Sequence, residues 1–189
     1  RDFREFKMKK ILVPLAEGFE EIEAITIIDL LRRAGAEVII ASLEKRNVQG
    51  FHGLKVIADT VLDEVLNDDF EMVVLPGGVP GATNLMGDPR IIKLLKDQAA
   101  ASKTSAAICA APAVLQKAGL TNDKKITSHP AWAGRMTTAV HTGARVETSD
   151  LLVTGQAAGS AMEFSFKLIE TLFGKEKVAE INAGVLAKL

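Results

Sequence analysis

Short apolar runs and segments of helical period alternate along the first two thirds of this chain. That alternation restricts its fold more than any other feature of the sequence. The first run, "ILVPLA" at residues 11–16, is bounded by Lys10 and Gly18 and reads as a buried strand. "EEIEAITIIDLLRRAG" follows at residues 20–35, where Ile22, Ile25, Ile28 and Leu31, spaced by three, predict one apolar helical face. Glu20 and Glu21 suit the start of that helix and Gly35 its end. "EVIIAS" at 37–42 reads as a second strand, residues 52–59 as a short strand and residues 60–66 as a short helix. "FEMVVLPGG" at 70–78 reads as a central strand ending in a glycine turn. A helix over 88–102 has proline near its start, and a small-residue strand "TSAAI" at 104–108 precedes a helix over 111–119. The chain then predicts a hairpin over 145–155, turning at Ser149 and Asp150, and two closing helices over 160–174 and 175–189. Strands that alternate with helices imply an α/β fold, a mainly parallel sheet covered by helices on both faces. Right-handed crossovers leave few topologies for it.

Other function classes are disfavoured by composition. The chain has 189 residues and is 48% hydrophobic, enough for a sizeable core in one domain. Its formal net charge is -1 and no basic run stands out, so nothing points to nucleic acid or an anionic membrane surface. No apolar stretch approaches the roughly 20 residues of a membrane span. A single cysteine excludes an internal disulfide and fits a reducing, cytoplasmic setting. The start, "RDFREFKMKK", is charged and lacks the apolar core of a signal peptide. Residues 1–7 read as an extension ahead of Met8, residues 1–8 as unstructured, and residues 9–189 as a single domain without repeats or linkers.

In open α/β sheets, ligands gather at the carboxyl ends of the strands. Three suggestive stretches fall at such ends: "EGFEEIE" at 17–23, "PGGVPG" at 76–81 and "ICAAP" at 108–112. Cys109 has small neighbours, Ala107, Ala110 and Ala111, that permit a sharp strand-to-helix turn, the arrangement of a nucleophile elbow. The start of the following helix is expected to lower the thiol pKa. The same stretch also suits a buried, unreactive thiol. Glu20 and Glu21 read as helix-start charges. Glu23 lies beside the predicted apolar stripe and can face the crevice. Protonated, it can hydrogen-bond a thiolate or sulfinate; ionised, it opposes thiolate formation. A solvated helix charge is the other reading. "PGGVPG" is either a plain turn or a nest of N–H groups for an anion, and it lacks the lysine of a phosphate loop. His129, 20 positions after Cys109 in "SHP", can pair with the thiol. His52 and His141 fall in loops and read as structural or solvated. Trp132 can wall a pocket, sit in the core or meet a second subunit. No ligand spacing supports a metal site.

Several strings together resemble one known family: "KKILVPLAEGFEEIEAITIIDLLRRAGAEV", "VVLPGGVPGATNL", "AAICAAPAVL", "ITSHP" and "MEFSFKLIETLFGKEK". In order and spacing they are similar to the ThiJ/PfpI superfamily, in the DJ-one branch that contains the parkinsonism-associated protein deglycase. The similarity runs from Lys9 to the C-terminus. It implies a flavodoxin-like sandwich, usually homodimeric, with a nucleophile-elbow cysteine at Cys109, a glutamate hydrogen-bonded to it at Glu23 and a nearby histidine at His129. It places the glycine turn at Gly77 and Gly78, with Ala110 and Gly78 N–H groups holding an oxyanion, and His52 at the pocket edge where some members carry arginine. The activities it implies are cofactor-free glyoxalase and deglycase reactions on methylglyoxal-like dicarbonyls or glycated proteins. Oxidative-stress sensing and chaperoning through the same cysteine are the rival reading, and a scaffold dimer with a vestigial thiol is the third. Two departures bear on these expectations. Peptidase-like members carry histidine directly after the cysteine, so Ala110 argues against proteolysis. "GQAAGS" at 155–160 stands where members often have an arginine-glycine-proline-glycine turn, which alters substrate orientation or a subunit contact.

Overall fold

A computed structural model of the protein describes residues 8–189; the expected extension over residues 1–7 lies outside the described residues. The described chain runs β1 (Lys10–Leu15), α1 (Glu21–Arg33), β2 (Glu37–Ser42), β3 (Asn47–Gln49), β4 (Lys55–Ile57), β5 (Thr60–Val61) and β6 (Met72–Leu75). It continues α2 (Gly81–Gly87), α3 (Pro89–Ala100), β7 (Thr104–Ile108), α4 (Pro112–Lys117), β8 (Lys125–Ile126), α5 (Pro130–Ala133) and β9 (Val140–His141). It closes with β10 (Val146–Ser149), β11 (Leu152–Gly155), α6 (Ala161–Phe173) and α7 (Lys175–Val185).

Seven strands form the main sheet in the order β10-β11-β7-β6-β1-β2-β5. Every pairing is parallel except β10 with β11, the predicted hairpin. The fold is the expected mainly parallel α/β sandwich. Its strands obey the two-residue side-chain period, so each feeds two cores. Ile11, Val13 and Leu15 of β1, with Met72 and Val74 of β6, join the core beneath α1 and α6. Leu12, Val73 and Leu75 point the opposite way, into the core beneath α2, α3 and α4. All eight of these side chains are fully buried, and burying one such side chain stabilises by about 1.5–3 kcal/mol. β1 and β6 are neighbours although they lie far apart in sequence. The chain reverses direction of travel between them, which opens the crevice at their carboxyl ends.

Three local expectations are corrected. In α1 the buried residues are Glu23, Ala24, Ile27, Ile28, Leu30 and Leu31, while Ile22 is 59% and Ile25 40% exposed. A strict spacing of three drifts around the helix, because each step falls short of a full turn. Residues 60–66 form the two-residue edge strand β5 and a 3-10 turn at Leu62–Glu64 rather than a helix. The short strand expected within 52–59 is present as β4, which pairs with β3 in a separate two-stranded sheet. The last helix stops at Val185, where Leu186 turns to φ 59°. The small sheet of β8 and β9, with α5 between them, had no strong sequence signal.

Candidate active site

Cys109 follows β7 directly, and its φ of 66° lies in the left-handed region. That conformation costs a residue with a Cβ about 1–2 kcal/mol. Two hydrogen bonds hold it there: the Cys109 N–H donates to the Gly155 carbonyl at 3.0 Å, and the Cys109 carbonyl accepts from the His129 N–H at 2.9 Å. Ala106, Ala107, Ala110 and Ala111 are buried around the turn, where anything larger than a methyl would crowd it. The thiol itself is partly buried. This strand–turn–helix is a nucleophile elbow in geometry.

Glu23 stands in the first turn of α1 and is fully buried. Glu20 caps that helix, its carboxylate accepting the Glu23 N–H at 2.8 Å. Glu23 Oε2 in turn accepts the Gly77 N–H at 2.8 Å. The Glu23 carboxyl and the Cys109 thiol interact directly, although Oε1 makes no hydrogen bond of full geometry. Gly77 fits between them only because it lacks a side chain. A Cβ there would lie 2.6 Å from Glu23 Oε2 and 2.7 Å from the Cys109 Cβ. The next residue, Gly78, adopts φ 93°, and its N–H, with that of Ala110, points to the sulfur. Residues 81–87, of which the sequence reading placed only Gly81, at the end of the turn, form α2.

Burial pushes the Glu23 carboxyl up to about 7, and the Glu20 charge adds to the rise; the Cys109 thiol and Gly77 N–H pull against it. Burial also pushes the Cys109 thiol up to about 12, reinforced by the Glu23 charge and hydrogen bond. The Gly78 and Ala110 N–H groups oppose that rise but do not overcome it. The expected lowering of the thiol pKa by the following helix is thus corrected: desolvation and a buried carboxylate outweigh the N–H donors. Across the neutral range the two groups carry at most one negative charge between them.

His129 approaches the elbow through its backbone. Its imidazole Nδ1 accepts the Ala131 N–H at 3.2 Å and caps α5, which leaves the ring proton on Nε2. His52 lies against the start of α1: its N–H donates to Glu21 Oε1 at 2.6 Å and its Nδ1 lies 3.1 Å from Glu21 Oε2. Burial pushes Glu21 up, but the backbone N–H groups of Glu21, His52 and Leu54 and the His52 ring outweigh it and hold the carboxyl below its usual range. Glu20, Glu21 and His52 are the one group of three metal-ligand types that converges among the described residues, with donor atoms within 4.8 Å. Their mutual ion pairing and the cap on Glu23 already account for that arrangement. Trp132 is half-buried against the cluster of Ala113, Ile126 and Met136 and stacks under the Arg135 guanidinium at 4.3 Å. An open cleft of about 460 Å³ lies beside the site at the ends of β1 and β2, lined in part by Glu17, Lys45 and Asn84, but not by Cys109.

Three contributors had escaped the sequence reading. Gly155 supplies the acceptor for the Cys109 N–H. Arg145 braces the "GQAAGS" stretch, donating to the Gly159 carbonyl and pairing with Glu163 at 2.7 Å, so the turn is held without an arginine of its own. His141 accepts the Ser128 N–H at 3.1 Å. The glycine at the end of a strand was the one available signal; the other two contacts join residues 13 and 14 or more positions apart with no motif between them.

A parallel sheet with a cysteine elbow at the end of a central strand, and a buried carboxyl against the thiol, defines a flavodoxin-like cysteine-elbow domain. Residues 9–171 match the DJ-1/PfpI family, and the chain belongs to that family. Protein dj-1beta of Drosophila melanogaster is 40% identical over 185 residues, covering 94% of this chain and 97% of the relative. Protein DJ-1 homolog A of Arabidopsis thaliana is 40% identical over 179 residues, 94% of this chain, but the chain spans only 46% of that longer relative. The Caenorhabditis elegans protein named glutathione-independent glyoxalase DJR-1.2 is 36% identical over 173 residues, covering 90% of this chain and 91% of the relative. Among solved structures, Drosophila DJ-1beta superposes with a TM-score of 0.94 at 37% identity, covering 96% of this chain and all of that one. An oxidised Toxoplasma gondii DJ-1 does so with a TM-score of 0.91 at 39% identity and the same coverage.

Proposed function

We propose that the protein is a cofactor-independent glyoxalase or deglycase-type enzyme that acts on methylglyoxal-like dicarbonyls or their adducts on proteins. The observation that carries this reading is the buried Glu23 carboxyl, raised to about 7, in direct contact with the Cys109 thiol. Such a pair passes one proton between sulfur and carboxyl at neutral pH, which is what general acid–base work on a thiol adduct requires. The thiol proton moves to Glu23 as the sulfur adds to the aldehyde carbon, and Glu23 returns it to the new alkoxide, giving a hemithioacetal. The Gly78 and Ala110 N–H groups steady the oxygen while it carries charge. Glu23, again a carboxylate, removes the proton from the former aldehyde carbon and delivers it to the neighbouring carbon, while the hydroxyl proton passes to the former ketone oxygen, leaving a lactoyl thioester. Water hydrolyses that thioester to lactate and frees the thiol. His129, with Nδ1 occupied, serves as a donor through Nε2 rather than as a base.

The test is to supply methylglyoxal to the wild type and to Cys109→Ser and to assay lactate. Lactate from the wild type alone is the expected result, and equal lactate from both overturns the mechanism. A second reading is favoured by the oxidised state of the Toxoplasma relative: a redox sensor or chaperone in which two peroxide molecules convert the Cys109 thiol to a sulfinate, releasing two waters, and protonated Glu23 hydrogen-bonds the product. Intact-mass measurement after mild peroxide reads it as a gain of two oxygens that maps to Cys109. In either reading the described residues contain no helix long and apolar enough to cross a membrane.

A further inference from the structure

The strained elbow is held from outside by a segment whose own anchor is a second histidine. Residues 127–129 lie across the end of β7, where the His129 N–H donates to the Cys109 carbonyl at 2.9 Å. That segment is fastened at two points. The Thr127 N–H donates to Thr154 Oγ1 of β11 at 2.9 Å. The Ser128 N–H donates to His141 Nε2 of β9 at 3.1 Å, and Ser128 Oγ lies 3.0 Å from the same nitrogen. Ser128 is fully buried, so no water stands ready to replace the imidazole for that N–H. Because Nε2 accepts from a backbone N–H it carries no proton, and the imidazole proton sits on Nδ1. One lone pair cannot serve two donors fully, which leaves the Ser128 hydroxyl free to donate to the His129 carbonyl at 3.2 Å.

We propose that His141 is a positioning residue for Cys109: its Nε2 acceptor holds the Ser128 backbone, which sets the His129 N–H that clamps the Cys109 carbonyl and keeps the thiol in its left-handed turn. The chain of contacts runs His141, Ser128, His129, Cys109, and it reaches the cysteine through the backbone N–H groups of Ser128 and His129. Removing the acceptor strands a buried N–H, and the segment must shift to find another partner. The clamp then loosens and the sulfur leaves the place where the Gly78 and Ala110 N–H groups meet it. An ångström-scale misplacement of a reacting group commonly costs about 10- to 100-fold in rate.

The inference rests on Cys109 being the reacting thiol, so its test reads the thiol directly as well as turnover. His141→Leu removes the acceptor, and His141→Gln restores one in its side-chain oxygen. His141→Leu is expected to change the Cys109 alkylation rate and to lower kcat about 10-fold or more with KM within about twofold, while His141→Gln returns both toward wild type. Ser128→Ala, which keeps the N–H contact, is expected to behave as wild type. Equal reactivity of the wild type and His141→Leu overturns the proposal. So does a loss shared equally by the Leu and Gln variants, which marks a general role in stability, or a loss in Ser128→Ala as large as in His141→Leu. Nitrogen-15 NMR of the unmodified wild type needs no variant to fold: the proton on Nδ1 of His141 supports the proposal, and a proton on Nε2 overturns it. If the wild type forms no lactate, the glyoxalase reading fails, while the alkylation and NMR results still decide the role of His141.

Discussion

At the residue scale, Glu23 couples chemistry to stability. Its carboxyl keeps a proton to about pH 7 in the folded protein, against an ordinary value of 4.5. Between those values the folded state binds more protons than the unfolded one. The stability tied to Glu23 is therefore fully present below pH 4.5 and is lost as pH rises through 7. The shift corresponds to on the order of 3 kcal/mol. Glu23→Gln keeps an acceptor for the Gly77 N–H and removes the titration. Denaturant unfolding of both proteins at pH 5 and pH 8 is expected to show the wild type losing ground to the variant at the higher pH; parallel behaviour would mean that the carboxyl is not raised. The same substitution removes the charge that opposes thiolate formation. The midpoint of Cys109 alkylation against pH is expected to fall in Glu23→Gln even as lactate production is lost. A midpoint that stays in place would remove Glu23 as the group that raises the thiol.

At the element scale, α1 and the β6–α2 turn carry the site. Helix α1 presents Glu23 inward because its buried face runs through Ala24, Ile27, Ile28 and Leu31, not through Ile22 and Ile25. Ile27→Ala is expected to destabilise by about 2–5 kcal/mol and Ile22→Ala by far less, a difference that thermal unfolding reads directly. The glycine turn has its own steric test. A methyl at Gly77 would meet Glu23 Oε2 at 2.6 Å, the Cys109 Cβ at 2.7 Å and the Ile108 carbonyl at 2.9 Å. Gly77→Ala is expected to cost about 1–3 kcal/mol in stability and to alter Cys109 alkylation. An unchanged melting temperature together with an unchanged alkylation rate would show that the turn has slack the distances deny.

At the scale of the whole molecule, α1 is not alone in leaving large apolar side chains outside. Ile22 and Ile25 of α1 are exposed, as are Phe51, Leu54 and Ile57 on and beside the β3–β4 hairpin. The hairpin is tied to the start of α1 by the Phe51 N–H on the Phe19 carbonyl, at 2.8 Å, and by His52 on Glu21. Met162 of α6 is exposed too, and with Ile25 and Val185 it lines a shallow groove. We propose that a second copy of the chain covers this face, the homodimer that the sequence resemblance implies. Large exposed apolar side chains gathered on elements that are tied together are a common mark of a protein–protein contact. Sedimentation equilibrium is expected to give twice the chain mass for the wild type, and Ile22→Lys with Ile57→Lys is expected to shift it toward monomer. A monomeric wild type at micromolar concentration would refute the pairing.

The chain's own order of residues determined the alternation of strands and helices, and with it the two-faced parallel sheet, because side-chain period and local turn chemistry act over a few neighbours. It also determined the small-residue turn at Cys109 and the glycines before α2. Local pattern could not assign the faces of α1, since a spacing of three is compatible with more than one stripe until a sheet is there to bury one. Nor could it determine the protonation of the site. The thiol is not lowered as a lone helix start would suggest, because the order of strands brings a buried carboxyl from α1 against it. The clamp from His129, the anchor at His141 and the brace from Arg145 likewise join segments distant in the chain. Desolvation and long-range hydrogen bonds exist only once these elements are packed, so tertiary structure alone decided what the cysteine of "AAICAAP" is poised to do.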